Sequence, residues 1–209
     1  MKKIILTLAF GIAFLSAAQA QQRVEVTYES PDSIPSVTNG LMEFLDVKYL
    51  KAHVHGDIRG KKWTLYLHEA NGGTVTSSPV LPYAFEFSDT TASFSFFTRQ
   101  DGNDSAYVRA VTPRYSSAKR KYAIAADNGT AYPSEYILME TFPEKPYDTS
   151  CEIILAAFTT GLVEKVNYGG QQGVRIDYCG LRDTHVDPKT WQEKYKVPRF
   201  IYFSLKLED

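Results

Sequence analysis

Histidines are the first residues in this sequence that could do chemistry. Three of the four in the chain, His53, His55 and His68, fall within residues 49–70. We expect the strands on either side of Gly60-Lys61 to form a hairpin with a tight two-residue loop. In that register His53 lies opposite His68, and His55 points to the same face. Three imidazoles so arranged can ligate Zn²⁺ and leave a fourth position for water, as a hydrolytic zinc site requires.

The charges predicted on the same face argue against this zinc site. Lys51, Arg59 and Lys62 are cations, and Asp57 is the only nearby acid. A zinc site normally has carboxylates that orient its histidines. The alternative interpretation is a solvated sheet face whose polar positions are occupied by histidine, and the charges favour it.

Two further clusters invite a binding interpretation. Asp101, Asn103 and Asp104 supply oxygen atoms that could hold Ca²⁺, but Asp101-Gly102 is first of all a hairpin turn, and the later glutamate of a helix-loop-helix calcium site is missing. The basic run 119–121 could bind an anion, or it could protect an exposed sheet edge from unwanted pairing. In both cases the structural interpretation is favoured.

Aromatic side chains are abundant, with 12 Phe and 14 Tyr in the chain. Single rings can form platforms for sugars or peptides, but most rings in β proteins belong to the core. The chain has no G-x-S-x-G, H-E-x-x-H or phosphate-binding glycine motif, so the sequence names no catalytic residue. The rings considered as platforms are Trp63, Tyr83, Tyr107, Tyr115, Tyr132, Tyr136 and Trp191.

Most of the chain alternates apolar and polar residues with a period of two, the pattern of half-buried strands. The clearest segments are 24–28, 174–178 and 201–207. Glycine-containing pairs that suit tight hairpins lie between such segments at short spacings. The sequence therefore predicts a mainly β fold, an antiparallel β-sandwich or an open barrel.

One short helix is well marked near the C-terminus. Asp187 can cap it, Pro188 suits its first position, and Pro198 prevents extension beyond about residue 196. A second helix is an alternative for residues 150–166, where Thr149 and Glu152 could form a capping box.

The conformation of 150–166 decides whether the two cysteines, Cys151 and Cys179, can form a disulfide. A helix there would bring them together, and so could a strand that enters the opposite sheet. Successive strands of one meander would hold the two residues at opposite ends. We expect the bridge, because export would permit it; two buried thiols are the alternative.

The N-terminus has the pattern of a secretory signal. Lys2 and Lys3 precede an apolar run, and Ala18-Gln19-Ala20 is a typical cleavage site, so we expect residues 1–20 to be removed. The mature chain 21–209 is expected to form a single β-rich domain in the periplasm or outside the cell, without a lipid anchor or a membrane-spanning segment.

The charge of the mature chain is nearly balanced. Without the two N-terminal lysines, 21 of the 23 Lys and Arg remain against 24 Asp and Glu, a formal charge of −3. A protein dedicated to nucleic acid normally has a strong basic excess, so we expect no nucleic-acid partner.

The C-terminal thirty or so residues contain "YCGLR", the helix start at Asp187-Pro188 and Trp191, and "VPRFIYF". With these motifs the segment resembles a family of secreted proteins of unknown function from gut-type anaerobic bacteria. The resemblance implies export, but no activity and no site residue.

These observations lead to an exported binding protein for a glycan or a protein partner, without a cofactor. The alternatives are a hydrolase with zinc on His53, His55 and His68, and a structural or assembly protein at the cell surface. A binding protein requires an exposed patch with aromatic rings, and an enzyme requires a site where polar groups converge.

Overall fold

The computed structural model describes residues 23–124, 135–141 and 146–208. Six strands form what we call the front sheet: β1 Arg23–Tyr28, β2 Lys48–Gly56, β6 Thr91–Asp101, β7 Ser105–Val111, β8 Arg120–Ala123 and β10 Tyr147–Asp148. The back sheet contains β3 Lys62–Asn71, β4 Thr74–Pro79, β5 Phe85–Glu86, β9 Tyr136–Met139, β11 Ile153–Thr160 and β14 Arg199–Glu208. A two-stranded ribbon is formed by β12 Leu162–Tyr168 and β13 Gln171–Asp177.

The two large sheets are antiparallel, as the alternating pattern predicts. The front sheet has the order β10-β1-β2-β6-β7-β8, and the back sheet has the order β4-β3-β14-β11-β9, with β5 beside β3. Their inner faces share one apolar core, in which the rings of Phe96 and Phe203 lie 4.4 Å apart between centroids. The mainly β, antiparallel fold class is therefore confirmed.

The predicted hairpin at Gly60-Lys61 is wrong. β2 pairs with β1 and β6 in the front sheet, whereas β3 pairs with β14, β4 and β5 in the back sheet. Residues 57–61 cross from one sheet to the other, and Ile58 is fully buried in the core at the crossing. Gly56 begins this crossing at a φ of 134°, and a Cβ on it would lie 2.2 Å from the carbonyl oxygen of Arg23.

The hairpin was predicted because alternation of apolar and polar residues shows only which side of a strand is buried. Val54 and Leu67 point into the same core, which a hairpin would also require. In the structure they reach the core from two facing sheets rather than from two neighbouring strands. A period of two identifies the buried side of each strand but not the strand's neighbour.

Residues 150–166 do not form the alternative helix. They contain β11 and the start of β12, and the β-branched and threonine residues of this segment suit strands. β11 belongs to the back sheet and β12 pairs with β13 in the ribbon, so the two strands separate and do not form one meander.

The predicted disulfide is not formed, because Cys151 and Cys179 are free and exposed. Cys151 precedes β11. Gly161 follows β11, and a Cβ on it would lie 3.0 Å from the Cα of Tyr178, so the chain returns to this end of the strand just before Cys179. With a rise of about 3.3 Å per residue, the length of β11 separates the two cysteines by more than a bridge can span.

The predicted C-terminal helix is confirmed as a 3₁₀ turn, Pro188–Thr190, followed by α3, Trp191–Tyr195. The Asp187 carboxylate accepts a hydrogen bond from the Lys189 backbone N–H at 2.8 Å. The sequence did not identify the other helical segments of the described residues, which are the 3₁₀ turn Pro31–Ser33, α1 Ser36–Phe44 and α2 Gly180–Asp183.

Residues 180–198 cover part of the outer face of the back sheet, where Leu181, Trp191 and Val197 pack in a second apolar cluster with Phe200 and Tyr202. Within the described residues, no helix has the length and apolar character needed to cross a bilayer. The signal segment 1–20 lies outside the described residues.

Candidate functional site

The three histidines predicted to share a zinc ion lie on opposite sides of the sandwich. His53 and His55 alternate with the buried Val54 of β2 and therefore point outward from the front sheet. His68 alternates with Leu67 of β3, which points into the same core, so His68 lies on the outer face of the back sheet. The structure thus brings His53 and His55 to one face but leaves His68 apart from them.

The two front-face histidines contact hydroxyl groups on neighbouring strands. His53 Nδ1 lies 2.9 Å from the Ser93 hydroxyl, and His55 Nε2 lies 3.0 Å from the Thr27 hydroxyl. Burial and the nearby Lys51 lower the pKa of His53, so its imidazole is neutral near pH 7. Residues 23–124, 135–141 and 146–208 contain no group of three or more His, Cys, Asp or Glu placed to hold a metal ion.

The oxygen-rich loop after β6 is a hairpin turn whose acids bond protein groups. Asp101 forms an ion pair with Lys121 at 2.8 Å, and the Asp104 carboxylate accepts a hydrogen bond from Ser105 at 3.0 Å. These bonds fix the turn between β6 and β7. They give the acids a structural role that does not depend on calcium.

The front sheet carries a groove of about 420 Å³ on its outer face. Phe97 and Val111 supply apolar surface, and Arg99, Arg109 and Lys119 supply positive charge. Strands β6 and β7 position the first four of these side chains by their alternation, since the intervening residues point into the core. The groove therefore combines an apolar floor with a cationic rim.

Tyr107 stands in the centre of the positive charge. The guanidinium of Arg99 lies 5.4 Å from its ring centroid, and the ammonium groups of Lys119 and Lys121 lie 4.4 Å and 5.6 Å from it. Of these cations, Lys121 is neutralised by Asp101. The face of an aromatic ring attracts cations, so Tyr107 holds the others close together despite their mutual repulsion.

The remaining rings considered as platforms divide between core and surface. Trp63, Tyr136 and Trp191 are buried, so the prediction of core packing is confirmed for them. Tyr83 and Tyr115 are exposed. Tyr132 lies outside the described residues.

A second polar arrangement crosses four neighbouring strands of the back sheet. His68 on β3 lies opposite Ser77 on β4, and its Nδ1 is 2.7 Å from the Ser77 hydroxyl. Its Nε2 is 2.7 Å from the Ser204 hydroxyl of β14 and 3.0 Å from the carboxylate of Glu152, which immediately precedes β11. We call Ser77, His68, Ser204 and Glu152 the back-face row.

Neighbouring groups hold the back-face row in place. The ring of Tyr202 stacks on the His68 ring with centroids 4.4 Å apart and planes within 7°. Lys189, from the segment that covers this face, forms an ion pair with Glu152, and Ser204 donates a hydrogen bond to the same carboxylate. His68 and Ser204 are buried, whereas Ser77 is exposed.

The environment sets the protonation of the row near neutral pH. Burial lowers the pKa of the His68 imidazole, and the neighbouring Glu152 carboxylate offsets this only in part. Burial raises the pKa of the Glu152 carboxyl, but hydrogen bonds from Lys189 and Ser204 outweigh it and hold the pKa below its ordinary value. The row therefore contains a neutral imidazole beside a carboxylate, the combination used in general-base chemistry.

Sequence reasoning identified His68 but missed its partners. One signal was present: Gly72 and Gly73, both at positive φ, form the turn between β3 and β4 and thereby set Ser77 opposite His68. Ser204 and Glu152 approach from strands more than 80 residues away in sequence, so no local pattern could have indicated them.

Comparison with known proteins adds no assignment. No family model matches the chain, and neither the curated proteins nor the solved structures contain a match. The resemblance of the C-terminal residues to a secreted family accordingly stays a prediction.

Proposed function

We propose that this chain is an exported binding protein that holds an acidic glycan in the groove on the outer face of its front sheet. The observation that carries the proposal is the convergence of Arg99 and Lys119 on Tyr107, with Arg109 lining the same groove. Carboxylate or sulfate groups of a polymer would meet the cations, and its apolar sugar faces would rest on Phe97.

An acidic glycan suits this groove better than a neutral one. Among the described residues, Arg99, Arg109 and Lys119 line this groove and no acid does, although Asp101 lies nearby beside Lys121. A neutral ligand would leave these cations without a counter-charge, whereas each charge-assisted hydrogen bond to a carboxylate contributes about 1.5–3 kcal/mol when it is shielded from water. The groove is open, so we expect a contribution somewhat below that range.

Polygalacturonate, a polymer of uronic acids, provides the direct test, with dextran as the neutral polymer. We expect calorimetry to detect binding of the first and not of the second, with an affinity that falls as salt increases. Arg109→Gln should weaken binding about 5- to 10-fold, the equivalent of about 1–1.4 kcal/mol.

Arg59→Gln is the matched control, since Arg59 is an exposed arginine outside the groove, paired with Asp89. It should leave the affinity unchanged. Equal binding of both polymers, or equal losses in the two arginine variants, would refute the role of the groove.

A second copy of this chain is the competing occupant. Helix α1 has no buried residue, and apolar side chains are exposed along it and just beyond its end: Val37, Leu41, Phe44 and Leu45. Its flank carries the acids Glu43 and Asp46, and Val47 connects it to the cationic groove. The apolar and acidic helix of one copy would thus complement the groove of the other, as an assembly role requires.

Analytical ultracentrifugation separates the two candidates. One outcome is a wild-type dimer at micromolar concentration and a monomeric Leu41→Glu variant whose binding of polygalacturonate is not weakened. This outcome would assign the groove contact to a second copy. A monomer in both forms would leave the groove free for the glycan and remove the assembly role.

A further inference from the structure

The hydrogen bonds of the back-face row fix which nitrogen of His68 carries the proton. Ser204 has one hydroxyl hydrogen, which it donates to Glu152. Its oxygen can therefore only accept at its 2.7 Å contact with His68 Nε2. Nε2 is thus protonated, and since the imidazole is neutral, Nδ1 carries a lone pair.

The Ser77 hydroxyl must consequently donate to His68. At 2.7 Å from an unprotonated Nδ1, the oxygen of Ser77 has its hydrogen directed at a base, while the lone pairs of this oxygen are free to face solvent. The opposite nitrogen is directed at the Glu152 carboxylate at 3.0 Å, which stabilises the imidazolium that forms when Nδ1 takes up a proton. This is the arrangement of an activated serine nucleophile.

The sheet edge adds a donor for a developing negative charge. The Val80 N–H donates a hydrogen bond to the Leu65 carbonyl at 2.8 Å, so Leu65 and Val80 are a hydrogen-bonded pair. Along an antiparallel ladder, hydrogen-bonded and non-hydrogen-bonded pairs alternate. His68 and Ser77, three pairs further along β3 and β4, are therefore a non-hydrogen-bonded pair. The N–H of Ser77 therefore points away from β3. Pro79, which has no N–H, occupies the equivalent position, as expected at the outer side of an edge strand.

We propose that Ser77 and His68 form a nucleophile and general base that hydrolyse small carboxylic esters at the open edge of the back sheet. This activity is separate from the glycan groove, which lies on the opposite face of the sandwich. An ester is the substrate class that fits, because a single backbone N–H gives modest stabilisation of an oxyanion and an alcohol leaves more readily than an amine.

The reaction is balanced by water. The Ser77 oxygen forms a bond to the acyl carbon while its proton moves to His68 Nδ1, and the alcohol then leaves with that proton. Water attacks the acyl group, gives a proton to Nδ1, and the carboxylic acid departs as Ser77 recovers its hydrogen. Glu152 is a positioning residue, since it holds Nε2–H and does not touch the substrate.

An alkyl fluorophosphonate tests the nucleophile on the intact mature protein. It phosphonylates activated serines with loss of fluoride, and peptide mass mapping should locate one adduct on Ser77. Ser77→Ala should abolish the adduct, and Ser78→Ala, which removes the neighbouring hydroxyl from the other side of the strand, should not. Ser93, which contacts His53 on the front face, provides an internal comparison and should stay unmodified.

The base is tested through the rate of labelling. His68→Asn should slow the modification of Ser77 at least about 100-fold, the usual contribution of a general base. His68 is buried, so its replacement also tests the fold, and Glu152→Gln therefore supplies a second readout. Loss of the carboxylate lowers the pKa of His68, so the pH midpoint of labelling should move down.

Wild-type protein should also release nitrophenolate from p-nitrophenyl acetate faster than Ser77→Ala. The proposal is overturned if Ser77 remains unmodified under conditions that label a reference serine esterase. It is equally overturned if Ser93 is modified instead, or if a folded His68→Asn variant is labelled at the wild-type rate.

Discussion

Glu152→Gln provides the sharpest test of how the back-face row contributes to stability. The carboxylate is bonded by Lys189, Ser204 and His68, and its side chain is 28% exposed. Glutamine keeps the shape but removes the charge and places an amide N–H₂ against one of these donors. Hydrogen bonds to charged groups contribute about 1.5–3 kcal/mol each. Partial exposure reduces this, and we expect a loss of about 2 kcal/mol in the free energy of unfolding.

Urea denaturation followed by tryptophan fluorescence measures this loss, because Trp191 lies in the covering segment and Trp63 in the core. For a domain of this size, about 2 kcal/mol corresponds to a fall in Tm of roughly 4–8 °C. Glu164→Gln is the control. Its ion pair with Arg175 lies on the exposed ribbon, and such pairs contribute about 0–1 kcal/mol.

The pH dependence has a definite sign. The pKa of Glu152 is lower in the folded than in the unfolded chain, so its contribution is complete above the ordinary value of 4.5 and is lost as pH falls through the folded pKa. The difference between wild type and Glu152→Gln should therefore be largest near pH 7 and should shrink toward pH 3. An equal difference at both pH values, or one no larger than that of Glu164→Gln, would refute the reasoning.

Other variants test the crossing between the sheets, the packing of their inner faces and the protonation of His68. Gly56→Ala should lower the free energy of unfolding by about 2–5 kcal/mol, since a Cβ there overlaps the Arg23 carbonyl and the backbone has a positive φ. Thermal melts measure this loss, and a wild-type Tm would contradict the crossing at residues 57–61. A double-mutant cycle of Phe96→Leu and Phe203→Leu should show a coupling of about 0.5–1.5 kcal/mol in urea denaturation, whereas additivity would mean that the facing sheets do not meet there. His68 has a folded pKa below its ordinary 6.5, so stability should also fall as pH drops below about 6.5, and this part of the pH dependence should be absent in His68→Phe, which cannot be protonated.

The alternating pattern predicted half-buried strands, and this is confirmed for β1. β14 is a strand as predicted, but both of its sides are buried from Phe200 to Leu205, because residues 180–198 cover its outer face. The pattern failed to predict strand pairing where two different arrangements of the strands bury the same residues. Val54 and Leu67 meet the core whether β2 and β3 are paired or face each other, and the choice depends on contacts with β1, β6 and β14 that come from distant sequence. The ribbon is a further exception, because the apolar Val174 and Ile176 of β13 are exposed.

Two cross-strand pairs in this protein show what residue type alone can and cannot determine. His53 lies opposite Ser93 in the front sheet, and His68 lies opposite Ser77 in the back sheet. In each pair Nδ1 meets a serine hydroxyl at close to the same distance, 2.9 Å and 2.7 Å. By residue type and distance alone, the two pairs are equivalent.

The difference between the pairs comes from what lies beyond the histidine. The contact between His53 and Ser93 can be made by either tautomer, with the hydroxyl as donor or as acceptor. Behind His68, Ser204 and Glu152 leave one tautomer, and so make Ser77 a donor to a base. Ser77 also lies on an edge strand, where a substrate can approach its N–H, whereas Ser93 lies on β6 between β2 and β7. The proposed reactivity of Ser77 therefore depends on side chains that the back sheet brings together from distant parts of the chain. The sequence shows locally only His68 and Ser77.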